Sequence, residues 1–379
     1  LGACVTANLV HGASGGLVPA RWPGLTLEEL EPVLALYPTL GKVRGVIWHS
    51  PRPFAASGMV SCEACTVFVK RHDGRVRSPD DLREEHAFIF HLHRGGAAVP
   101  RVLPARYGDT APARGGYTYE VHALLPHADP YRDAVSWSPF EHAAHARDAG
   151  RALGELHNAA SGFRAPPRRT GLLVADFRIF GGADPMAALV ARVGAEPLLA
   201  AALAERGWQR DMAHVLLPLH AALAPHLPAL TPLWTHNDFH ASNLLWTGHD
   251  AGSGVAAVLD FGLSNRTSAV FDLATAIERN AMEWLRLADG ETDIAHAELA
   301  RALIEGYCAA RPLSDGELHA LPHVLPLVHA EFALSELAYF HGIAQSPEWC
   351  SAAYDDFLLG HAKWFGTDAG RQFLDRLCD

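Results

Sequence analysis

The chain has 379 residues, 49% of them hydrophobic and 19% charged, and a formal net charge of −11. That length predicts two or three domains with sizeable cores, and no apolar run approaches the roughly 20 residues of a membrane span. The negative balance excludes a nucleic-acid binder that works by neutralising phosphates, and its placement is uneven: from residue 270 onward 18 Asp/Glu face seven Lys/Arg, whereas the first 269 residues carry 24 of each.

Residues 1–39 lack a charged n-region followed by an apolar block, so no signal peptide and an irregular lead-in are expected. Six scattered Cys include one CxxC, Cys62–Cys65, with no second pair; reduced thiols in a cytoplasmic protein are the expectation. Residues 40–119 read as β-rich. "KVRGVIWHS" is a strand, "PRPFAASG" a turn, "MVSCEACTVFVKRH" a strand pair, and "YTYEVHALL" a further strand. A helix interrupts them, opening at Ser78-Pro79-Asp80 and stopping at Gly95-Gly96; its His86, His91 and His93 are expected on its surface.

After a short connector at 120–128, residues 129–379 turn helical. "SPFEHAAHARDAGRALGELHNAA" predicts a long amphipathic helix with Ser138 as N-cap and Pro139 in its first position. Four more helices are expected in "VFDLATAIERNAMEWLRLA", "DIAHAELARALIEGYCAA", "LPHVLPLVHAEFALSELAYF" and "EWCSAAYDDFLLGHAKWFGT". A β-rich part followed by a helical one predicts a cleft between them, where ligand sites prefer to lie.

The densest polar stretch is "LWTHNDFHASNLLW", residues 233–246, a polar loop between two apolar strands. Such loops, held on a rigid scaffold, are disproportionately functional. It reads His236-x-Asp238-x-x-x-x-Asn243, and "GVAAVLDFG" then brings Asp260-Phe261-Gly262 at the end of another apolar strand. Phosphoryl transfer needs a carboxylate beside the attacking hydroxyl and oxygen ligands for the Mg²⁺ on the nucleotide phosphates. Asp238, Asn243 and Asp260 supply that order and spacing. Upstream, Lys70 ends a strand and Glu85 lies on the next helix, the positions of a phosphate-binding lysine and its acidic partner. Glu85 is preferred over Glu84 because it sits seven residues before the apolar Leu92.

With these residues the chain resembles the aminoglycoside phosphotransferase/choline kinase-like family of small-molecule kinases: "HNDFHASN", "DFG" and "FDLA" stand where that family has its catalytic loop, metal motif and following helix start. The resemblance spans roughly residues 45–365. It implies an α+β, protein-kinase-like two-lobe fold, with a small β-rich N-lobe and a larger, mainly helical C-lobe. It further implies Asp238 as catalytic base, His236 as brace of its loop, Asn243 and Asp260 as Mg²⁺ ligands, and Lys70 with Glu85 on the phosphates of ATP, GTP being the alternative donor. Asp272 would cap the "DLATAIERN" helix and tie it to the loop; backbone near Glu120–His122 would bond adenine; Ser57-Gly58 would present N–H groups to the phosphates. Asn237 stands where protein kinases carry Arg, His240 where many carry Lys, and only nine residues separate Gly262 from Asp272. That leaves no peptide-docking segment and points to a small-molecule acceptor.

The expectation is therefore transfer of the γ-phosphate to a hydroxyl of an antibiotic (as a resistance enzyme would), an amino alcohol, a sugar or a nucleoside. Glu278, Glu283, Trp284, Glu331 and Glu336 are candidates for a carboxylate and aromatic pocket that holds a cationic acceptor, with residues 128–137 at its mouth. Neither nucleic acid nor membrane is expected as a partner, and a monomer or homodimer is compatible with the sequence. The competing reading is a catalytically silent nucleotide-binding module acting through a partner. A metal protein built on the 23 His is disfavoured, because no HExxH or CxxC…H spacing occurs.

Overall fold

A computed structural model describes residues 9–12 and 15–377 and divides the chain into two units, Leu1–Pro126 and His127–Asp379. The fold is α+β. In the first unit a hairpin of β1 (Leu9–His11) and β2 (Leu17–Pro19) precedes α1 (Leu27–Leu34). An antiparallel sheet follows, built from β3 (Val43–His49), β4 (Ala56–Cys62), β5 (Thr66–Asp73), β6 (Ala113–Arg114) and β7 (Tyr117–Ala123) in the order β3-β4-β5-β7-β6. Between β5 and β6 lies α2 (Pro79–Arg94), opened by a capping box in which Ser78 and Asp81 satisfy each other's backbone N–H.

Within the lead-in, residues 27–34 form a helix that its composition does not suggest. Thr26 accepts from the N–H of Glu29, Glu28 and Glu29 fill the first turn, and Leu30 and Leu34 join Tyr37, Leu40, Val60, Val67, Val69 and Val121 in the core of this unit. Pro32 hides the helix from a sequence reader, because it removes an interior backbone donor. The "PRPFAASG" turn is also shorter than expected: β4 already begins at Ala56. Gly58 lies inside it, where a Cβ would come within 2.3 Å of the Trp48 carbonyl oxygen. Cys62 is buried and Cys65 exposed, both free thiols.

In the second unit two small antiparallel pairs hold the polar loop: β8 (Pro232–Thr235) with β11 (Asn265–Ser268), and β9 (Leu244–Trp246) with β10 (Val255–Val258). Around them stand α3 (Ala143–Ala160), α4 (Ala269–Asn280), α5 (Ala297–Ala310), α6 (Ala330–Gly342) and the short α7 (His361–Trp364), with further short helical segments over 185–229. Helices α3 and α5 meet backbone to backbone: a Cβ on Gly150 would lie 2.0 Å from the Leu303 carbonyl oxygen, and one on Gly306 would overlap that of Arg147 at 1.8 Å. Helix α3 starts at Ala143 rather than near Ser138. The preceding residues are taken by other partners, since Phe140 donates its N–H to the Asn280 carbonyl and Glu141 donates to the Tyr131 hydroxyl. Helix α4 is buried along its whole length although it carries Asp272, Glu278, Arg279 and Asn280. Buried polar groups need partners, so these four side chains point to the organised part of the molecule. Among the described residues no single helix is long and apolar enough to cross a membrane.

Candidate active site

The polar loop turns sharply after β8. Asn237 has φ +63°, a left-handed conformation that Asn tolerates better than most residues. Its side-chain oxygen accepts from the hydroxyls of Thr235 and Thr267 at 2.9 and 3.0 Å, so this residue locks a turn at the position where protein kinases carry Arg. Beneath the turn Asp272 is fully buried. One of its oxygens accepts the N–H of Asn237 at 2.7 Å; the other accepts the N–H of His236 at 2.8 Å and Nε2 of His157 at 2.9 Å. The expected cap role belongs instead to Ser268, which accepts from the N–H of Phe271; the helix starts three residues before Asp272 and leaves that carboxylate free for the loop.

His236 is buried with its Nδ1 accepting the N–H of Asp238 at 3.1 Å, so Nε2 carries the proton and donates to the Leu259 carbonyl at 2.7 Å. This one ring joins the loop to the end of the strand that delivers Asp260. Asn280 grips the other side: its oxygen accepts from the N–H of Ala241 and its amide donates to the Phe239 carbonyl, both at 2.8 Å.

Within this frame the Asp238 side chain is 16% exposed. Burial pushes its pKa up, but His240 at 3.7 Å and Arg279 at 3.6 Å outweigh that and hold the carboxyl well below the usual range. Asn243 donates its amide to the Asp238 carbonyl at 3.0 Å and carboxylate at 3.3 Å, which turns its own side-chain oxygen away from Asp238. The Asn243 backbone carbonyl accepts from Leu259, placing Asp260 next in chain; Asp260 itself has φ +56° and accepts the N–H of Gly262. A side-chain amide oxygen and a carboxylate, as Asn243 and Asp260 carry, are the kind of hard oxygen donors that Mg²⁺ takes.

A second polar group begins where α4 ends. Glu278 is 1% exposed and accepts from Nε1 of Trp137 at 3.1 Å; its neighbours are Arg279 at 3.5 Å, His361 at 3.5 Å and His329 at 3.9 Å. Burial pushes the carboxyl up, but Arg279, His361 and His329 together bring it down to about 2. Glu336 lies 3.4 Å from the far nitrogen of His329, and Trp284 stacks on His361 at 3.9 Å between ring centres. The remaining acceptor candidates go elsewhere. Glu331 accepts the backbone N–H groups of Ile179 and Phe180 at 2.9 and 3.0 Å, and Glu283 pairs with Arg286 and His296.

In the first unit Lys70 lies on β5, with its ammonium 3.7 Å from Glu120 on β7. Glu120 also receives His72, His86 and His122 at 2.8–2.9 Å. His86 is therefore a buried partner of a carboxylate and not a surface residue. Glu85 is the buried one of the Glu84/Glu85 pair. The backbone at Glu120–His122 is committed to the sheet: Glu120 faces Lys70 and His122 faces Phe68 on one side, while Val121 accepts from Leu103 on the other. Ser57 and Gly58 likewise lie inside β4 opposite Lys70 and Val69, and the Ser57 carbonyl accepts from Ser50. The turn itself is residues 50–55, and its two prolines supply no N–H.

A model of the phosphotransferase enzyme family matches residues 60–317, about two thirds of the chain. The chain belongs to that family. It is similar to the homoserine kinases of Phenylobacterium zucineum (34% identical over 272 residues, 71% of this chain and 72% of the relative) and Azorhizobium caulinodans (29% over 274 residues, 72% of each). Its fold is that of aminoglycoside 2'-phosphotransferase-IIIa in its GDP complex (TM-score 0.55, 14% identity, 90% of this chain and 99% of that one). A microcompartment-associated aminopropanol kinase shares it (TM-score 0.51, 18% identity, 92% and 99%). This phosphotransferase is a small-molecule O-phosphotransferase with a kinase-like fold. The residues a sequence reading missed are Asn280, Arg279 and His157. Asn280 and Arg279 follow the "FDLA" motif within one buried helix, and a polar run on an otherwise apolar helix is the one signal that could have flagged them.

Proposed function

We propose that this phosphotransferase moves the γ-phosphate of ATP to a hydroxyl of a small amino-hydroxy acceptor. The observation that carries the reading is Asp238: an ionised, mostly buried carboxylate on a turn held by His236, Asp272 and Asn280, with Asn243 against it and Asp260 next to its backbone partner. The acceptor oxygen forms the new bond to phosphorus, the bond from phosphorus to the leaving diphosphate oxygen breaks, and the acceptor's proton passes to Asp238. A carboxylate held this far below its usual range is a weak base at neutral pH, so it orients the hydroxyl and takes the proton late. Positioning then supplies most of the acceleration, as a loose phosphoryl transition state requires. Asn243 and Asp260 would hold Mg²⁺, which neutralises charge on the nucleotide phosphates. Lys70, tethered by Glu120, would bind those phosphates, with Glu85 in support. The homoserine kinase relatives favour a small acceptor over a multi-ring antibiotic.

The test is ADP release from Mg-ATP with homoserine, amino alcohols and aminoglycosides. Asp238→Ala should lower acceptor-dependent turnover by about a thousandfold or more while ATP affinity stays within about threefold. A variant that kept most of its acceptor-dependent rate would refute the assignment.

A further inference from the structure

Residues 161–184 join α3 to the next helix and form neither helix nor strand. Irregular segments longer than about 12–15 residues are uncommon in a folded unit, and the ordered ones are usually functional. This one is tied down along its length. Trp234 on β8 donates Nε1 to the Ala165 carbonyl at 2.9 Å. Ser335 on α6 accepts the N–H of Leu173 at 2.6 Å and donates to the Gly171 carbonyl at 2.9 Å. The buried Asn265 side chain on β11 grips it twice: Oδ1 accepts the N–H of Arg168 at 2.9 Å, and Nδ2 donates to the Ala175 carbonyl at 2.8 Å.

The segment carries four arginines, Arg164, Arg168, Arg169 and Arg178, and only Arg168 is buried. A guanidinium so placed has to be answered by hydrogen bonds. Its Nη1 donates to the Gly262 carbonyl at 3.1 Å, across 94 residues of sequence, which puts it at the foot of the Asp260-Phe261-Gly262 turn. That turn needs holding. Asp260 has φ +56°, and non-glycine backbone in this region persists only where its surroundings fix it. His236 fixes the entry through the Leu259 carbonyl. The exit is fixed by Arg168 at Gly262 and by Ala175, whose N–H donates to the Leu263 carbonyl at 3.3 Å. Asp260 is thus held from both sides, by the polar loop before it and by the irregular segment after it.

We infer that Arg168 is a positioning residue for the phosphoryl transfer: by anchoring the exit of the turn it aims the Asp260 carboxylate at the metal. The inference rests on the reading of Asp260 as a Mg²⁺ ligand and adds to it the residue that sets its geometry. A role in stability alone would weaken nucleotide binding with and without metal alike. An aiming role weakens only the part that depends on metal.

Calorimetric titration with ADP, once with Mg²⁺ and once in EDTA, separates the two, and urea unfolding reports whether each variant is folded. Arg168→Met should weaken Mg-ADP binding by about tenfold to a hundredfold, the size of one hydrogen bond to a charged group, and leave ADP binding in EDTA within about threefold. Arg168→Lys keeps the charge without the planar fork and should fall between, about threefold to tenfold weaker with Mg²⁺ and unchanged in EDTA. It decides the matter if Arg168→Met does not fold. Arg164→Met, on the exposed side of the same segment, should match wild type in both titrations. A folded Arg168 variant with wild-type Mg-ADP affinity overturns the inference, and so does an equal loss with and without Mg²⁺. A wild type whose ADP affinity ignored Mg²⁺ would overturn Asp260 as a metal ligand and this inference with it. A wild type that phosphorylated no acceptor, yet lost Mg-ADP selectively through Arg168→Met, would overturn the kinase reading and uphold Arg168.

Discussion

Replacing Asp272 by Asn alters one atom of a side chain with no solvent exposure, and the consequence can be worked out from its partners. Oδ1 accepts one N–H, from Asn237, and Oδ2 accepts two, from His236 and His157. An Asn side chain must place its NH₂ at one of these positions. The milder choice is the Oδ1 side, where a single backbone donor loses its acceptor and faces another donor. One charge-assisted bond is lost and one buried N–H is stranded, about 3–5 kcal/mol in all. The other choice costs more. Because the affected N–H groups belong to the turn that carries Asp238, kcat should also fall, by about a hundredfold for a displacement near 1 Å. Urea unfolding followed by fluorescence gives the first quantity, and ADP release at a temperature where the variant stays folded gives the second. If Asp272→Asn kept its stability to within about 0.5 kcal/mol and its kcat to within about threefold, the turn would be held by something else and the scheme would fail.

Glu120→Gln should destabilise the first unit by about 3–5 kcal/mol, because Lys70 and three histidines converge on that buried carboxylate, and should raise KM for the nucleotide; urea unfolding and nucleotide titration check it, and wild-type values for both would disprove it. Burial and Asp176 push the Glu331 carboxyl up to about 8, so the folded state keeps a proton that the unfolded state releases above the ordinary carboxylate range. Wild-type stability should therefore decline as pH rises from about 4.5 to about 8, and Glu331→Gln should lose that slope, gaining up to about 5 kcal/mol on wild type across the window; parallel curves would contradict it. Gly306→Ala should cost about 3 kcal/mol, since its Cβ overlaps the Arg147 carbonyl, whereas Gly194→Ala, with nothing within 4 Å, should stabilise its helix by about 0.5–1 kcal/mol. Equal melting shifts for these two variants would refute the packing argument.

The strands around Lys70, the capped helix from Pro79 and the order His236, Asp238, Asn243, Asp260 were legible because each rests on local rules: alternation, capping, and the spacing of a loop between two apolar strands. The same holds for membership of the phosphotransferase family, whose motifs are contiguous. What tertiary structure alone decided is which polar residues meet across the sequence. Glu120 lies fifty residues from Lys70, and only the β5–β7 register sets them opposite each other. That register also pairs the backbone at Glu120–His122 and, through β4, the backbone at Ser57-Gly58 within one sheet. Glu331 and Glu336 read alike on one helix, yet Glu331 turns to the backbone at Ile179–Phe180 while Glu336 turns to His329. Sequence can say that a carboxylate is present; which groups answer its charge is decided by the fold, which for Glu331 brings in chain 152 residues away, and those contacts set both its pKa and its use.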